Sequence, residues 1–172
     1  MVLHPEIQKK AQAELDAVIG PGKLPRFSDR PRLPYIEHIV QETYSLSEKM
    51  VAVGSFGTVV YANAFAIAHD ERVYENPQDF NPDRYGGGEP YPVGNFGFGR
   101  RVCVGRFLAD NSVWIMVATM LSTLEFCKKV AQDGTPIEPR VQFTNGGTCH
   151  PEHFDCVIKP RTSKVEALFN AN

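Results

Sequence analysis

A stretch of 25 residues with neither helical nor strand periodicity, Glu75–Gly99, constrains the fold more than any other feature of the sequence. Ten of the chain's 27 glycine and proline residues lie in Asn81–Gly105, which overlaps it. Irregular segments of this length are uncommon inside a compact domain and usually carry function. We therefore expect this stretch to wrap around a ligand.

The size, charge and hydropathy of the chain exclude several classes of protein. Its 172 residues correspond to about one domain, and 18 basic against 20 acidic residues give a net charge of −2, which excludes a general nucleic-acid binder. The longest nearly unbroken apolar run, Val113–Leu121, is far shorter than the ~20 residues of a membrane-spanning helix. Because Met1–Lys10 is polar and cysteine is sparse, we expect no signal peptide, no anchor and an intracellular location.

Residue patterns predict a fold that is mainly α with minor β. Apolar residues repeat at helical spacing in three segments, and Ala62–His69 has room for a turn or two of helix. The three periodic segments are His4–Ile19, Pro34–Tyr44 and the long, strongly apolar Val104–Phe126. Short strands are expected at Thr58–Tyr61, near Gln142–Phe143 and at Phe154–Ile158. Neither period is found in Ser45–Gly57.

The most informative segment is Phe96–Gly105, where a glycine-rich loop enters the long helix. It fails the dinucleotide-binding pattern G-x-G-x-x-G, since Val102 stands at the third glycine. A metal thiolate fits better, because Cys103 lies just before the helix N-terminus, where unpaired N–H groups and the positive dipole end favour an anion. Arg100 and Arg101 add donors that fit carboxylates. A flat cofactor with carboxylates and an iron would explain all of these residues; the plainer alternative is a glycine-rich turn with one buried cysteine.

The same segment contains F-G-x-G-x-R-x-C-x-G in full and resembles the haem-binding loop of the cytochrome P-450 family of haem-thiolate monooxygenases. The resemblance implies that Cys103 is the axial ligand of the iron in haem b. It also implies that Arg101 contacts a haem propionate and that Phe96 packs near the thiolate. The cofactor-binding residues that it implies are Phe96, Gly97, Gly99, Arg101 and Gly105.

Other segments resemble the same family in the same order along the chain. Phe80–Tyr85 resembles its P-x-R segment, and Gln41-Glu42-Thr43 resembles the start of its E-x-x-R helix. Leu33–Ile36 resembles fungal members, and Cys156–Arg161 resembles the last strand. The resemblance implies one partial domain over residues 1–172 that covers only the C-terminal part of the family's fold. In that domain residues 75–105 form the meander and haem-ligand loop, residues 104–126 the long core helix.

The chain departs from the family's pattern at two places. Ser45 stands where E-x-x-R has its arginine, so the buried charge network that the family implies for Glu42 and Arg84 loses one cation. In addition, we expect the strands that normally precede Thr58 to be missing, replaced by the thirteen residues Ser45–Gly57.

The resemblance implies a haem-thiolate monooxygenase that inserts one oxygen atom from O₂ into a small apolar substrate. Electrons come from NADPH through a flavoprotein reductase, which is expected to dock on a basic surface. The cations of that surface are Arg100, Arg101, Arg106, Lys128 and Lys129. Thr144–Thr148 resembles the family's last substrate-contacting loop, so Phe143 and Thr148 are candidate pocket residues. The resemblance implies that full-length relatives sit on the endoplasmic reticulum membrane, whereas we expect no anchor in this chain.

The resemblance also implies that the N-terminal part of the fold is absent, with its oxygen-activating helix and most of the substrate pocket. The chain resembles a truncated form, and the alternative to an enzyme is a non-catalytic fragment with weak or no haem binding. The apolar face of the long helix, with Trp114, Ile115, Val117 and Leu121, is expected to lose its partners. We therefore expect no competent monooxygenase from these residues alone.

A zinc site is a further alternative, since Cys149, His150, His153 and Cys156 fall within eight residues. These residue types suit zinc, but their spacing resembles no common zinc finger. A strand over 154–158 would also place His153 and Cys156 on opposite faces. Surface histidines and a core cysteine are the favoured interpretation.

Overall fold

The computed structural model describes residues 1–46, 50–55, 57–144 and 150–170, and the chain divides into two units. Residues 1–32 and 118–172 make up the first unit, and residues 33–117 the second. The helices are α1 (Pro5–Val18), α2 (Pro34–Ser45), α3 (Ala64–Ala68), α4 (Asp83–Gly86), α5 (Arg106–Thr123) and α6 (Ser163–Asn170). The strands are β1 (Met50–Ser55), β2 (Thr58–Asn63), β3 (Leu124–Lys128) and β4 (Cys156–Pro160). The fold class, mainly α with minor β, is confirmed, whereas the single-domain organisation stays a prediction.

In the first unit, α1 forms where the spacing of its apolar residues predicted it. Pro5 occupies the first turn, and Ile7, Ala11 and Leu15 are buried along one face. Gln8, on the same face, is also buried and bonds to both backbone groups of Phe126, with its Oε1 accepting over 2.9 Å and its Nε2 donating over 3.1 Å. This amide therefore fixes β3 against α1.

The long helix α5 is shorter than the sequence predicted, since it ends at Thr123 and not at Phe126. The hydroxyls of Ser122 and Thr123 bond back to the Thr119 carbonyl at 2.9 and 2.7 Å, which is how such residues compete with helix continuation. Residues 124–128 instead form β3 and pair antiparallel with β4. Apolar residues at helical spacing continue into β3, so the sequence pattern predicted a longer helix than the one that forms.

The expected exposure of α5 is wrong: of the four residues named, Ile115 and Val117 are half-buried and the other two are buried. Trp114 and Leu121 are 0% and 2% exposed, whereas the exposed apolar side chains lie elsewhere. These exposed residues are Phe107, Leu108 and Met116 on the helix and Val104 just before it. The apolar face that lacks partners is therefore the one that begins beside Cys103.

Besides β3 and the short helix α4, two further elements of the described chain were absent from the sequence-based expectation. β1 lies in the segment without periodicity and pairs antiparallel with β2, from Met50 opposite Asn63 to Ser55 opposite Thr58. The connecting turn includes Gly57 at a φ of +80°, and thus one strand is present where we expected none. The second element, α6, follows Thr162, whose hydroxyl oxygen accepts from the Val165 N–H at 3.2 Å. Residues 47–49 and 56 of the aperiodic segment lie outside the described residues.

No helix in the described part of the chain combines the length and the apolar character needed to cross a bilayer.

Arg161 joins three elements of the first unit. Its guanidinium forms a bidentate pair with the Asp16 carboxylate of α1, at 2.7 and 3.2 Å. It also donates to the Leu121 and Ser122 carbonyls at 3.3 and 3.1 Å, which are among the last carbonyls of α5 that have no partner within the helix. The side chain of Arg161, directly after β4, thus holds α1 and caps the C-terminal end of α5.

Replacing Arg161 with alanine is expected to lower the free energy of unfolding by about 1.5–3 kcal/mol, because charge-assisted bonds and a helix cap are lost together. Urea denaturation followed by circular dichroism measures the change. The matched control is Lys159→Ala, which removes an exposed pair with Glu125 and should change stability little. Equal losses from the two variants would contradict the assigned role of Arg161.

Candidate functional site

The loop before α5 holds the backbone of Cys103 against that of Phe96. The Cys103 N–H donates to the Phe96 carbonyl over 2.8 Å, and the Val102 N–H donates to the Gly99 carbonyl over 3.3 Å. The Arg106 N–H in turn bonds to the Cys103 carbonyl at 3.3 Å, where α5 begins. The structure therefore places Cys103 near the start of the helix, although α5 begins at Arg106 and not at Val104 as the sequence predicted.

Glycine permits this loop conformation at two of the predicted positions. Gly97 and Gly99 adopt φ values of +86° and +66°, in the left-handed region that side chains disfavour. At Gly105 an added Cβ atom would lie 3.8 Å from the Cys103 sulfur, so glycine keeps that side of the sulfur uncovered. The glycines thus shape the surroundings of one side chain, the Cys103 thiol.

The chemistry of this donor and its surroundings fits a thiolate-ligated haem. Cys103 is a free and exposed thiol close to the N-terminal end of α5, the end of a helix at which anions are generally favoured. Val104, Phe107 and Leu108 are 67–97% exposed and offer apolar surface to a flat hydrophobic cofactor. Arg101 is exposed and forms no ion pair within the described residues, which leaves its guanidinium available to a carboxylate. Cysteine thiolate is one of the axial ligands that proteins supply to haem iron.

The carboxylate of Glu42 lies in the interior of the second unit with three donors around it. Its Oε1 accepts from the Asn81 N–H at 2.8 Å and from Arg84 Nε at 3.2 Å. Its Oε2 accepts from the Tyr85 hydroxyl at 2.7 Å. The side chains of Glu42 and Arg84 are 1% and 2% exposed, so the structure brings together the two predicted network residues as a buried ion pair.

Arg84 also satisfies the backbone of the irregular segment. Its Nη1 donates to the Glu75 carbonyl at 2.6 Å and to Glu89 Oε2 at 3.1 Å. Its Nη2 donates to the carbonyls of Asn76 and Asp79 at 3.1 and 3.0 Å. Burial lowers the pKa of Arg84, but its bonds to carboxylates outweigh that effect and raise the pKa overall. One side chain therefore ties residues 75–89 to α2.

Tyr85 is the residue of this network that sequence reasoning missed. Ser45 occupies the predicted arginine position on α2, is buried, and makes no hydrogen bond to Glu42. Burial and the bond to Glu42 both raise the pKa of Tyr85, so its hydroxyl stays protonated and donates. Its position directly after Arg84 was the only available signal.

An aromatic contact links α2 to the cysteine loop. The rings of Tyr44 and Phe96 meet edge to face with centroids 5.6 Å apart. The Tyr44 hydroxyl also lies 3.5 Å from a carboxylate oxygen of Asp110 in α5. Since the carbonyl of Phe96 binds the Cys103 N–H, the packing of α2 bears directly on the cysteine loop.

Other predicted residues are not brought together. Lys128 pairs with Glu138, and Lys129 pairs with Asp155 at 3.0 Å, so neither is the free cation that the docking surface assumed. No group of three or more histidine, cysteine, aspartate or glutamate side chains that could hold a metal occurs in the described residues. Cys149 of the zinc alternative and Thr148 of the substrate loop lie outside them.

Comparison with known proteins yields one family. The sequence profile of the family described as cytochrome P-450 matches residues 1–47 and 55–153. A cytochrome P-450 monooxygenase of Armillaria gallica is 38% identical over 98% of this chain, and one named claT from Ampulloclitocybe clavipes is 39% identical over 98%. A zebra fish cytochrome P-450 structure with progesterone superposes with a TM-score of 0.77 at 29% identity over 93% of the chain.

The matched region is a limited part of each relative. The chain spans 37% and 38% of the two fungal proteins and 39% of the zebra fish chain. In the fungal proteins it aligns to the C-terminal portion.

The raised pKa of Tyr85 predicts a loss of stability in alkali. Tyrosine in an unfolded chain ionises near pH 10, whereas the folded chain keeps the Tyr85 proton to higher pH. The folded state thus binds more protons above about pH 10, and its stability falls as the pH rises further.

Tyr85→Phe should make this fall shallower between pH 9 and pH 11, as measured by urea midpoints. Tyr74 and Tyr91, whose pKa values are also raised by burial, will keep part of the slope. The control is Tyr61→Phe, at an exposed tyrosine. An unchanged slope in Tyr85→Phe would refute the assignment.

Proposed function

Since the chain belongs to the cytochrome P-450 family, we propose that its residues form the thiolate-ligating side of a monooxygenase haem site. Cys103 is the residue proposed to hold the haem iron, through its sulfur. Phe96, Gly97, Gly99, Arg101 and Gly105 are the proposed cofactor-binding residues. The observation that carries this proposal is the free, exposed Cys103 thiol at the N-terminus of α5, followed by exposed apolar residues. Haem b bound there would supply an iron at which O₂ is reduced and one oxygen atom is inserted into a substrate.

Each protein residue has a defined task in this proposal. Cys103 would supply the sulfur ligand close to the N-terminal end of α5, the end of a helix at which anions are generally favoured. The hydrogen bond from the Cys103 N–H to the Phe96 carbonyl orients the loop. Arg101 neutralises a cofactor carboxylate by charge-assisted hydrogen bonds. Glu42 and Arg84 are almost fully buried and fix the irregular segment before the loop.

The proposed partners are a small apolar substrate and a flavoprotein reductase that draws on NADPH. Arg100 lies in the cysteine loop and is exposed, with no ion pair in the described part of the chain. Because Lys128 and Lys129 are paired, we assign the docking charge to the loop arginines. Phe143 is exposed and stays a candidate for substrate contact.

We also propose an intracellular location. Cys103, Cys127 and Cys156 are free thiols, as is typical of reducing compartments. Association with the endoplasmic reticulum membrane remains an expectation from the resemblance.

A non-catalytic polypeptide with weak or no haem binding is the second candidate. The observation that favours it is the exposure of Phe107, Leu108 and Met116, since uncovered apolar side chains of this size oppose stable folding in water. The two candidates differ in whether the reconstituted chain shows a thiolate-type spectrum.

Cys103→Ala should abolish the thiolate-type absorption band of the reduced, carbon-monoxide-bound protein after reconstitution with haem. The reason is that neither of the other two described cysteines, Cys127 on β3 and Cys156 on β4, lies in the loop that enters α5. Cys127→Ala, on β3, is the matched control and should leave the band unchanged. Loss of the band in Cys127→Ala would overturn the ligand assignment. Absence of the band from the unsubstituted chain would favour the non-catalytic candidate.

Arg100→Glu should weaken reductase binding several-fold at low ionic strength, and the effect should shrink as salt is added. Surface plasmon resonance with an NADPH-dependent flavoprotein reductase measures the affinity. Lys129→Glu makes the same change in net charge at a paired lysine and should have the smaller effect. Equal effects, or a lack of salt dependence, would contradict docking at the loop arginines.

A further inference from the structure

We propose that the Tyr85 hydroxyl replaces the arginine that α2 lacks at Ser45, and that Tyr85 is a positioning residue for the cysteine loop. The inference concerns the buried network of Glu42, Arg84 and Tyr85. Its effect on ligation rests on the proposed function, whereas its effect on folding does not.

The hydrogen-bond capacity of Arg84 is already fully used. A guanidinium has five N–H donors. Nε donates to Glu42, and the two terminal nitrogens make four further bonds, to three backbone carbonyls and to Glu89. Arg84 therefore has no donor left for the second oxygen of Glu42.

That second oxygen requires a donor, because the Glu42 side chain is 1% exposed and water cannot solvate it. The Tyr85 hydroxyl at 2.7 Å is its donor, since the other two partners of Glu42, Asn81 and Arg84, bond to Oε1. Ser45, one helical turn along α2, makes no bond to it within the described residues. The hydroxyl thus does what a second arginine would do for this oxygen.

The replacement changes the charge of the network. Arg84 faces two carboxylates, those of Glu42 and Glu89, and Tyr85 adds a donor without adding a positive charge. The Glu89 side chain is 21% exposed, so solvent screens its excess negative charge. A neutral donor is sufficient because only the Glu42 carboxylate is sealed from water.

Two routes connect Tyr85 to the loop. Through Glu42 it holds α2, which also carries Tyr44, the ring that packs on Phe96. Directly, the Tyr85 ring meets the Tyr91 ring edge to face at 5.1 Å, five residues before Phe96. Loss of the hydroxyl leaves a buried carboxylate oxygen without a donor and loosens the seating of both segments.

Four chains test the inference: the unsubstituted chain, Tyr85→Phe, Ser45→Arg and the double variant. Urea unfolding without haem gives the unfolding equilibrium constant. Reconstitution with haem gives the fraction of bound haem with the thiolate-type carbon-monoxide band. Tyr74→Phe is the control, because it removes the hydroxyl of a buried tyrosine that does not bond to Glu42.

We expect Tyr85→Phe to raise the unfolding constant about tenfold or more and to lower the thiolate-type fraction. Arginine at position 45 should restore the missing donor, so the same substitution should cost several-fold less in the Ser45→Arg background. Where Tyr85→Phe does not fold, recovery of folding in the double variant supports the inference.

The inference is overturned when Tyr85→Phe costs no more than Tyr74→Phe, or costs the same in both backgrounds. Should Ser45→Arg itself not fold, the comparison of Tyr85→Phe with Tyr74→Phe decides. A chain that shows no thiolate-type band in any variant refutes the proposed function, yet its unfolding constants still decide whether Tyr85 completes the network.

Discussion

The buried ion pair of Glu42 and Arg84 is the interaction on which the rest of the second unit depends. The segment from 75 to 89 has little regular structure, so its backbone carbonyls cannot all find partners within a helix or a sheet. Arg84 donates hydrogen bonds to three of these carbonyls, and its Nε donates to Glu42 of α2. One guanidinium therefore ties this irregular segment to α2, in addition to the local backbone hydrogen bonds within it.

The Glu42–Arg84 pair is almost sealed from water, whereas the cysteine loop is exposed and held by local backbone bonds. Removing one partner of a buried pair leaves an uncompensated charge, which costs about 3–5 kcal/mol in typical proteins. The network therefore stabilises the second unit. The edge-to-face contact of Tyr44 with Phe96 connects α2, which carries Glu42, to the cysteine loop.

Local signals in the sequence predicted the features that local chemistry controls. Pro5 and Pro34 mark helix starts, and the glycines around Cys103 were predicted to shape the loop. Features that depend on distant partners were not predictable in this way. β1 forms because β2 supplies its hydrogen bonds, and α5 ends where Thr123 meets β3. The donor role of Tyr85 depends on a carboxylate 43 residues away, which no local pattern encodes.

In our proposal, the Cys103 sulfur is the protein's ligand to the haem iron. X-ray absorption at the iron edge of the haem-reconstituted chain tests it most directly, because sulfur and nitrogen neighbours scatter differently. We predict one sulfur neighbour in the first coordination shell, and its loss in Cys103→Ala. A first shell of nitrogen and oxygen alone in the unsubstituted chain, or a sulfur neighbour that persists in Cys103→Ala, would show that Cys103 is not the ligand.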